Sequence, residues 1–356
     1  MSALRIGHPR HRLSHAVPTC VLVALLVALL GAADVSAADA ELTRARWLMG
    51  TLVTVSAPAD STDRTGAALD AALDEIAALE RTLSNWDARS ELSELNARGA
   101  SASPSQALAA VVDSALAFAR ATDGAFDPTV EPLVRAWDLR GKGRVPDAAT
   151  LAVARARVGH RRVTQSAAGL ELGGTQLDLG GIAKGFALDR AAAALAARGI
   201  RDVVLDAGGQ LLRTTPGTTW VAHPLDRDRA AVRVRLGAGS LSTSVQRERS
   251  LVVRGRRVGH VLDPRTGEPV PGQASVSVAA ASGTRADALS TALLVMGRER
   301  AQAYAAAHPE LGVLWLEPSA HGLAARAWNL TIDSVAAGVH VVTDADADAM
   351  SSRLTH

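Results

Sequence analysis

The sequence predicts an α+β fold, a single body with mixed and antiparallel sheets and flanking helices. Short runs rich in β-branched or alternating residues, such as 47–57 and 274–281, predict strands. Runs with apolar residues at helical spacing, such as 65–83, 105–121 and 182–197, predict helices. The two kinds of segment follow one another without a regular βαβ series, a repeat or a long linker. This order favours one α+β body over a doubly wound parallel sheet.

Weaker patterns predict the remaining elements. Helices are expected at 128–137, 148–158 and 284–296, with Gly297 as a C-terminal cap. Strands are expected on either side of 165–179, at 202–205, at 232–236 and in the region after residue 307, and a hairpin at 251–261.

Composition limits the classes of function. The chain has 356 residues, of which 48% are hydrophobic, and this is enough for a sizeable core. Its formal net charge is only +2, so the electrostatics give no reason to expect a nucleic acid or an anionic membrane surface as partner. Cys20 is the single cysteine, which excludes a disulfide within the chain.

The first residues have the pattern of an export signal. Arginines in 5–12 precede the apolar run 21–30, and small residues at 35–37 form an A-x-A-like cleavage site. The pattern predicts a signal peptide at 1–37 and an exported, periplasmic protein. The alternative is an uncleaved signal that anchors the protein to the periplasmic side of the inner membrane.

The mature chain is predicted to form one functional domain. This domain covers 42–335, and 336–356 form a C-terminal strand and a polar tail. The alternating aspartates of the tail are typical of a solvated terminus, since they lack the spacing of a calcium-binding loop.

Segment 177–185 combines an acidic residue, two glycines and a helix start. Asp178 is expected at the end of a strand, and the glycines allow close approach of a ligand before the helix begins. The bare N–H groups at such a helix start favour phosphate, to which Lys184 would add a positive charge. The alternative is a glycine-rich turn with no ligand.

Asp287 and Thr291 are four residues apart on a predicted helix, so their side chains share one face. A carboxylate and a hydroxyl are hard oxygen ligands of the kind that Mg²⁺ prefers. The alternative is purely structural: Thr284 and Asp287 also fit a capping pattern, in which Asp287 would serve only the helix start.

Two other polar residues stand next to predicted turns. His260 precedes the turn 263–267 and could act as a general base, or it could be a structural strand histidine. Asp127 lies within the turn 124–130 and is a candidate site residue, but it could also only cap the helix that follows.

Taken together and in this order, these segments resemble the ApbE family of flavin transferases over residues 47–328. The resemblance rests on the following segments: 49–51, 83–87, 90–92, 95–96, 124–129, 132–133, 178–185, 208–209, His260, 262–267 and 286–293.

The resemblance implies a fold and an activity. The fold would be a single ApbE-like body, and the enzyme would be an FAD:protein FMN transferase that depends on Mg²⁺. It would move FMN from FAD, its substrate, to a Thr or Ser hydroxyl of an acceptor protein and release AMP. Acceptors of the family are flavoprotein subunits of electron-transport complexes outside the cytoplasm. The alternatives are an FAD pyrophosphatase and an FAD-binding protein without turnover.

The resemblance also implies roles for individual residues. Asp287 would be catalytic as a metal ligand, and because the transfer needs a base for the acceptor hydroxyl, His260 is the catalytic candidate for that role. The expected FAD site contains Met49, Trp86, Ala125, Phe126, Asp127, Asp178, Lys184, His260 and Val261. The expected Mg²⁺ ligands are Asp287, Thr291, Ser290 and the carbonyl oxygen of Gly181.

The sequence departs from the family pattern at four positions, one of which is Gly181, where a metal contact must come from the backbone carbonyl. Trp86 stands where tyrosine is common, and Val245 and Arg247 replace a glycine and an aromatic residue. Because valine disfavours a positive φ, a different backbone or acceptor contact is expected near Val245.

Overall fold

The computed structural model describes residues 41–60, 63–246, 251–253 and 256–343. The predicted signal peptide and the polar tail after residue 343 lie outside the described residues. Within the described ranges, no helix is both long and apolar enough to cross a bilayer.

The helices, in chain order, are α1 (Arg64–Leu83), α2 (Glu91–Arg98), α3 (Gln106–Ala121), α4 (Glu131–Ala136), α5 (Ala148–Ala156), α6 (Ala183–Ala197), α7 (Gly283–Met296) and α8 (Arg298–Ala307). The strands are β1 (Glu41–Leu48), β2 (Thr51–Pro58), β3 (Ala100–Ser101), β4 (Thr164–Ser166), β5 (Gly169–Glu171), β6 (Val204–Ala207), β7 (Gln210–Arg213), β8 (Gly217–His223), β9 (Asp226–Leu236), β10 (Gly239–Val245), β11 (Leu251–Val253), β12 (Arg256–Val258), β13 (Ser275–Ala280), β14 (Gly312–Ser319), β15 (Gly322–Trp328), β16 (Thr331–Val335) and β17 (Val339–Val341).

A nine-stranded sheet organises the molecule, with the strand order β1-β2-β6-β7-β10-β13-β14-β15-β17. Neighbouring strands are antiparallel except for β15 and β17, which run parallel. The predicted class, α+β with mixed and antiparallel sheets, is therefore confirmed. The predicted C-terminal segment supplies β17, an edge strand of this sheet.

The sheet is buried on both faces at β14. Val313 and Trp315 belong to the main core with the helices, whereas Leu314 and Leu316 belong to a second core. The second core also contains Val234 of a three-stranded sheet with the order β16-β9-β8. Because side chains alternate along a strand, one strand serves both layers.

Helices α6 and α7 cross at two glycines. A Cβ atom added to Gly185 would lie 2.0 Å from the carbonyl oxygen of Gly283, and one added to Gly283 would lie 2.5 Å from that of Gly185. No real side chain fits at such distances, so glycine is required on both helices. The crossing brings the start of α6 against the first turns of α7.

Most predicted elements are present, and the differences have local causes. Residues 47–57 are strand as predicted except at Met49 and Gly50, where a turn with positive φ divides the predicted strand into β1 and β2. The predicted strand before Asp178 is wrong, since residues 172–179 lie outside any strand and include a turn at Gly173 and Gly174. There, a side chain makes the hydrogen bonds that a neighbouring strand would make. Asn96 accepts from the Leu177 N–H at 2.6 Å and donates to the Leu177 carbonyl oxygen at 2.8 Å.

Several elements were not predicted. They are α2, α8, β3, β7, β8 and β10, and the region after residue 307 contains more strand than expected. The predicted hairpin at 251–261 is confirmed as β11 paired with β12, and its turn lies outside the described residues.

Candidate functional site

Asp287 is the centre of a buried polar cluster. Its side chain is 4% exposed, and one carboxylate oxygen lies 4.0 Å from Nζ of Lys184. The other oxygen accepts the backbone N–H of Gly185 at 3.0 Å. A lone carboxylate is costly to bury unless donors or a cation compensate its charge. Here the compensating groups come from the start of α6.

The capping alternative for Asp287 does not fit the structure. The N-cap of α7 is Ser282, whose hydroxyl accepts from the N–H of Arg285 at 3.2 Å. The N–H groups of Gly283 and Thr284 donate instead to Asp189 of α6, at 2.6 and 2.8 Å. The free N–H groups at the start of α7 are thus satisfied without Asp287, whose carboxylate points to α6.

Hydroxyl groups from β10 and α7 complete the cluster. Ser242 Oγ donates to Asp287 Oδ1 at 3.3 Å, and Ser290 Oγ lies 3.2 Å from Ser242 Oγ. Ser244 Oγ lies 2.8 Å from Ser290 Oγ and 3.2 Å from Thr291 Oγ1. Alternate residues of β10 face α7, because side chains alternate along a strand. The result is a row of oxygen atoms beside one carboxylate.

Gly181 borders this row. A Cβ atom on Gly181 would lie 3.1 Å from Thr291 Oγ1 and 3.3 Å from the ring of Phe126. Three of the predicted segments, 124–129, 178–185 and 286–293, therefore meet at this glycine. Absence of a side chain there leaves the Thr291 hydroxyl open to the backbone of Gly181.

The cluster is suited to a hard cation, on the chemistry of its donors. Asp287, Thr291, Ser290 and the Gly181 backbone offer oxygen atoms only, the ligand type of Mg²⁺. Among the described residues, no group of three or more His, Cys, Asp or Glu side chains could hold a metal ion. Any cation here would be held by one carboxylate with hydroxyl and carbonyl oxygens, as Mg²⁺ often is when substrate phosphates complete its shell.

Asp178 lies beside an arginine that the sequence analysis did not identify. Asp178 Oδ1 accepts the N–H of Gly180 at 2.7 Å, and Oδ2 pairs with Arg140 at 2.5 Å. The guanidinium of Arg140 also lies 5.9 Å from the ring centroid of Trp86. Trp86 and Asp178, both predicted for the FAD site, are thus brought together by Arg140.

Asp127 is buried, and other side chains hold its carboxylate. Oδ1 accepts from the backbone N–H of Thr129 at 2.9 Å and from its hydroxyl. Oδ2 accepts the backbone N–H of His160 at 3.0 Å and lies 3.1 Å from its ring Nδ1. Asp127 therefore fixes the loop around His160. The neighbouring Ala125 and Phe126 are buried in the main core.

A cavity of about 420 Å³ opens beside Asp127. Its lining is rich in basic side chains and glycines: Gly124, Asp127, Val158, Gly159, His160, Arg161, Arg162, Pro264 and Arg265. Arg265 pairs with Asp263 at 2.7 Å. Burial favours a higher pKa for Asp263, but hydrogen bonds and charge from Arg265 outweigh it and hold that pKa below its ordinary value.

Met49 lies at the tip of the β1–β2 hairpin. Its backbone has a φ of 51°, and its N–H donates to Glu80 of α1 at 2.7 Å. The turn at Gly208 approaches the same hairpin, since a Cβ atom there would lie 2.1 Å from Thr51 Oγ1. The Met49 backbone is therefore held by α1, and the neighbouring Thr51 packs against the Gly208 turn.

The backbone of Val261, next to His260, is held by Gln246, a residue that the sequence pattern does not indicate. The Gln246 side chain is buried, and its Oε1 accepts the N–H of Val261 at 2.8 Å. Its Nε2 donates to the carbonyl oxygens of Val261 at 2.8 Å and Val270 at 2.6 Å. The amide thus makes the hydrogen bonds to Val261 that a neighbouring strand would otherwise make.

The expected change at Val245 does not take the form of backbone strain. Val245 lies at the end of β10, in register with Ser275, and is absent from the residues with positive φ. A valine suits this strand position. Arg247 lies outside the described residues.

Comparison with known proteins agrees with this geometry. A model of the ApbE family matches residues 49–315. The FAD:protein FMN transferase of Treponema pallidum is 33% identical over 331 residues, which are 84% of this chain and 90% of that protein. The FAD:protein FMN transferase of Rhodobacter capsulatus is 38% identical over 229 residues, 59% of this chain and 43% of that longer relative.

A solved structure extends the agreement to the fold. The ApbE protein of Thermotoga maritima superposes with a TM-score of 0.72 at 29% identity, over 78% of this chain and 94% of that one. The resemblance inferred from the motifs is therefore confirmed. The matched span covers the hairpin of Met49, the α6–α7 crossing and the hydroxyl row, and the chain belongs to the ApbE family.

Proposed function

We propose that the chain is a Mg²⁺-dependent FAD:protein FMN transferase. It moves FMN from FAD to a threonine or serine hydroxyl of an acceptor protein and releases AMP. The relatives carry the name of this transferase. The observation that carries the proposal is the buried Asp287, compensated by Lys184 and Gly185 and flanked by hydroxyl groups.

Asp287, Thr291, Ser290 and the carbonyl oxygen of Gly181 would hold the magnesium ion. When bound, Mg²⁺ neutralises negative charge on the phosphoryl oxygens of the substrate. Groups of the protein itself bind the pyrophosphate and remove the hydroxyl proton.

The start of α6 is suited to bind the pyrophosphate of FAD. The helix N-terminus carries partial positive charge, and Lys184 adds a full one next to Asp287. In the transfer, the acceptor oxygen forms a bond to the FMN phosphorus while the bond from that phosphorus to the AMP oxygen breaks. AMP leaves with the bridging oxygen, and the hydroxyl proton passes to a base.

His260 is the proposed base. An imidazole side chain can accept a proton from a hydroxyl group near neutral pH. Gln246 supports this role because it fixes both the N–H and the carbonyl oxygen of the adjacent Val261.

Replacing Gln246 with methionine should slow transfer on the order of tenfold and lower the free energy of unfolding by about 1–3 kcal/mol, because buried backbone groups lose their partner. Transfer rates and thermal unfolding midpoints measure the two effects. Gln165→Met is the matched control, since that side chain is exposed and makes one bond to a carbonyl oxygen. A full transfer rate in a destabilised Gln246→Met would show that Gln246 does not position His260.

One incubation tests the proposed function. The protein without residues 1–37 is mixed with FAD, MgCl₂ and an acceptor protein that carries an exposed threonine, with its Thr→Val version as control. The proposal predicts AMP together with a fluorescent acceptor band that resists denaturation and needs the threonine. AMP with free FMN and no labelled acceptor would identify an FAD pyrophosphatase, and bound FAD without either product an FAD-binding protein.

The place of action is also a proposal. The signal sequence at 1–37 supports export to the periplasm, where the acceptor would be a flavoprotein subunit of an electron-transport complex. An uncleaved signal would hold the enzyme at the periplasmic face of the inner membrane. Mass determination of the N-terminus from a periplasmic extract tests the cleavage.

A further inference from the structure

Arg140 joins three side chains that lie far apart in the sequence. Its guanidinium pairs with Glu131 at 2.6 Å and with Asp178 at 2.5 Å, and it lies 5.9 Å from the ring centroid of Trp86. The Arg140 side chain is 21% exposed, so most of it is enclosed by these partners. Glu131 is 1% exposed and also pairs with Arg135.

The charges hold the guanidinium firmly in place. Burial favours a lower pKa for Arg140, but Glu131 and Asp178 outweigh it and raise that pKa. Two carboxylates thus bind one cation in a part-buried position, where charge-assisted hydrogen bonds are strong. The guanidinium plane has little freedom to leave the indole.

The loop that carries Trp86 is equally fixed. Ser84 Oγ accepts the N–H groups of Trp86 at 3.0 Å and Asp87 at 3.3 Å. The side chain of Asn85 donates to the carbonyl oxygen of Leu177, directly before Asp178. Yet Trp86 itself is 66% exposed. A rigid loop thus holds a large aromatic side chain in a solvent-exposed position. Such a side chain can bind a planar ligand by stacking.

We propose that Arg140 is a positioning residue for FAD: it supports one face of the Trp86 indole and fixes Asp178, so that the exposed face stacks on a planar ring of FAD. This inference rests on the proposed function. Three guanidinium hydrogen bonds go to Glu131 and Asp178, and the proposed role of Arg140 in FAD binding is its support of the indole.

The identity of residue 86 agrees with this role. Among aromatic side chains, tryptophan binds a cation over its face most strongly. Trp86 stands where the family commonly has tyrosine, and the Arg140 guanidinium lies over the Trp86 ring. The pair would stabilise the indole orientation even though most of the ring is exposed.

The test is a double-mutant cycle on FAD affinity, with FAD fluorescence as the probe. R140Q should raise the Kd for FAD about 3- to 30-fold, the range that a cation–π contact supplies. The transfer rate at saturating FAD should change less than about 3-fold, since Arg140 positions the ring and not the reacting phosphorus. In a W86A background, R140Q should have less than half of this effect on a logarithmic scale, because the two residues act as a unit.

Two further variants sharpen the cycle. R89Q removes an arginine three positions from Trp86 whose side chain is 90% exposed, and it should leave the Kd for FAD unchanged. R140K keeps a charge beside Glu131 and Asp178 but loses the planar fork, so it should recover part of the affinity. If R140Q does not fold, R140K takes its place in the double-mutant cycle with W86A, and the Kd for FAD is measured in the same way.

The inference is overturned if R140Q and R140K bind FAD like the wild type, or if their losses add fully to that of W86A. It is also overturned if the transfer rate falls while the Kd is unchanged. These outcomes differ from a failure of the proposed function, in which the wild type itself neither binds FAD nor transfers FMN.

Discussion

Replacing Asp287 with asparagine should reduce FMN transfer at least about 10³-fold while the protein stays folded. The amide has nearly the shape of the carboxylate, and its oxygen can still accept the N–H of Gly185, which lies 3.0 Å from the native Oδ2. What disappears is the single buried negative charge next to Lys184 and the hydroxyl row. Loss of one preorganised electrostatic group at a transferring phosphoryl costs on the order of 10²- to 10³-fold, and loss of a metal costs more.

Single-turnover transfer assays at several Mg²⁺ concentrations measure the effect, and a fluorescence titration follows FAD binding, of which a part should remain. Asp74→Asn is the matched control, because this carboxylate is 70% exposed and pairs only with Arg46 among the contacts of the described residues. It should transfer FMN like the wild type. If Asp287→Asn transfers FMN at a rate within about 3-fold of the wild-type rate, Asp287 is not a ligand of an essential Mg²⁺ ion.

Gly185→Ala should destabilise the protein and stop transfer, although helix propensity predicts the reverse. Alanine is preferred to glycine within a helix by about 1 kcal/mol. At this position, however, the new Cβ would lie 2.0 Å from the Gly283 carbonyl oxygen and 2.8 Å from the Thr284 nitrogen. These are backbone atoms of α7, so the two helices must separate. We expect a net loss of about 1–3 kcal/mol in the free energy of unfolding.

The same movement takes the N–H of Gly185 and the side chain of Lys184 away from Asp287. Transfer should therefore fall by more than the folded fraction does. Chemical denaturation and transfer rates at a low temperature separate the two losses. Gly237→Ala is the control, since its new Cβ would meet no atom within 4 Å and its φ is not positive. If Gly185→Ala is more stable than the wild type, the close crossing of α6 and α7 is refuted.

The sequence sufficed for the fold class and for the centre of the candidate site. The spacing of Asp287 and Thr291 places them on one helix face. The glycines of 178–185 predict that a ligand can come close to the backbone next to a helix start. Their meeting was expected from the family resemblance, and the contacts of Gly181 with Thr291 and Phe126 agree with it. Local patterns suffice where the interacting groups lie on one element or directly beside it.

Contacts between distant segments could not be predicted in this way. Gly185 and Asp287 are 102 positions apart, and Arg140 and Asp178 are 38 apart. Nothing in the local pattern around Gln246 indicates that its amide will replace a backbone strand for Val261. Likewise, the capping pattern at Thr284 was misleading because Asp189, on another helix, takes the N–H groups that the pattern assigns to Asp287.

The polar turns show a related limit. Asp127 is predicted to contact FAD, and its carboxylate also holds Thr129 and His160 within the protein, which the sequence does not indicate. Any contribution of Asp127 to FAD binding would then come through the loop that it fixes, beside the basic cavity. The side chain stays a predicted site residue whose role a binding measurement on Asp127→Asn would define.

The most direct test of the account is an isotope measurement on the products. FAD, Mg²⁺, the enzyme and the threonine-bearing acceptor are incubated in H₂¹⁸O, and acceptor, FMN and AMP are analysed by mass spectrometry. Direct transfer predicts an acceptor that gains FMN in phosphoester linkage at the threonine, without ¹⁸O, and an equal amount of unlabelled AMP. Free FMN that carries one ¹⁸O atom, with an unmodified acceptor, would contradict the account, because water would then have replaced the acceptor hydroxyl.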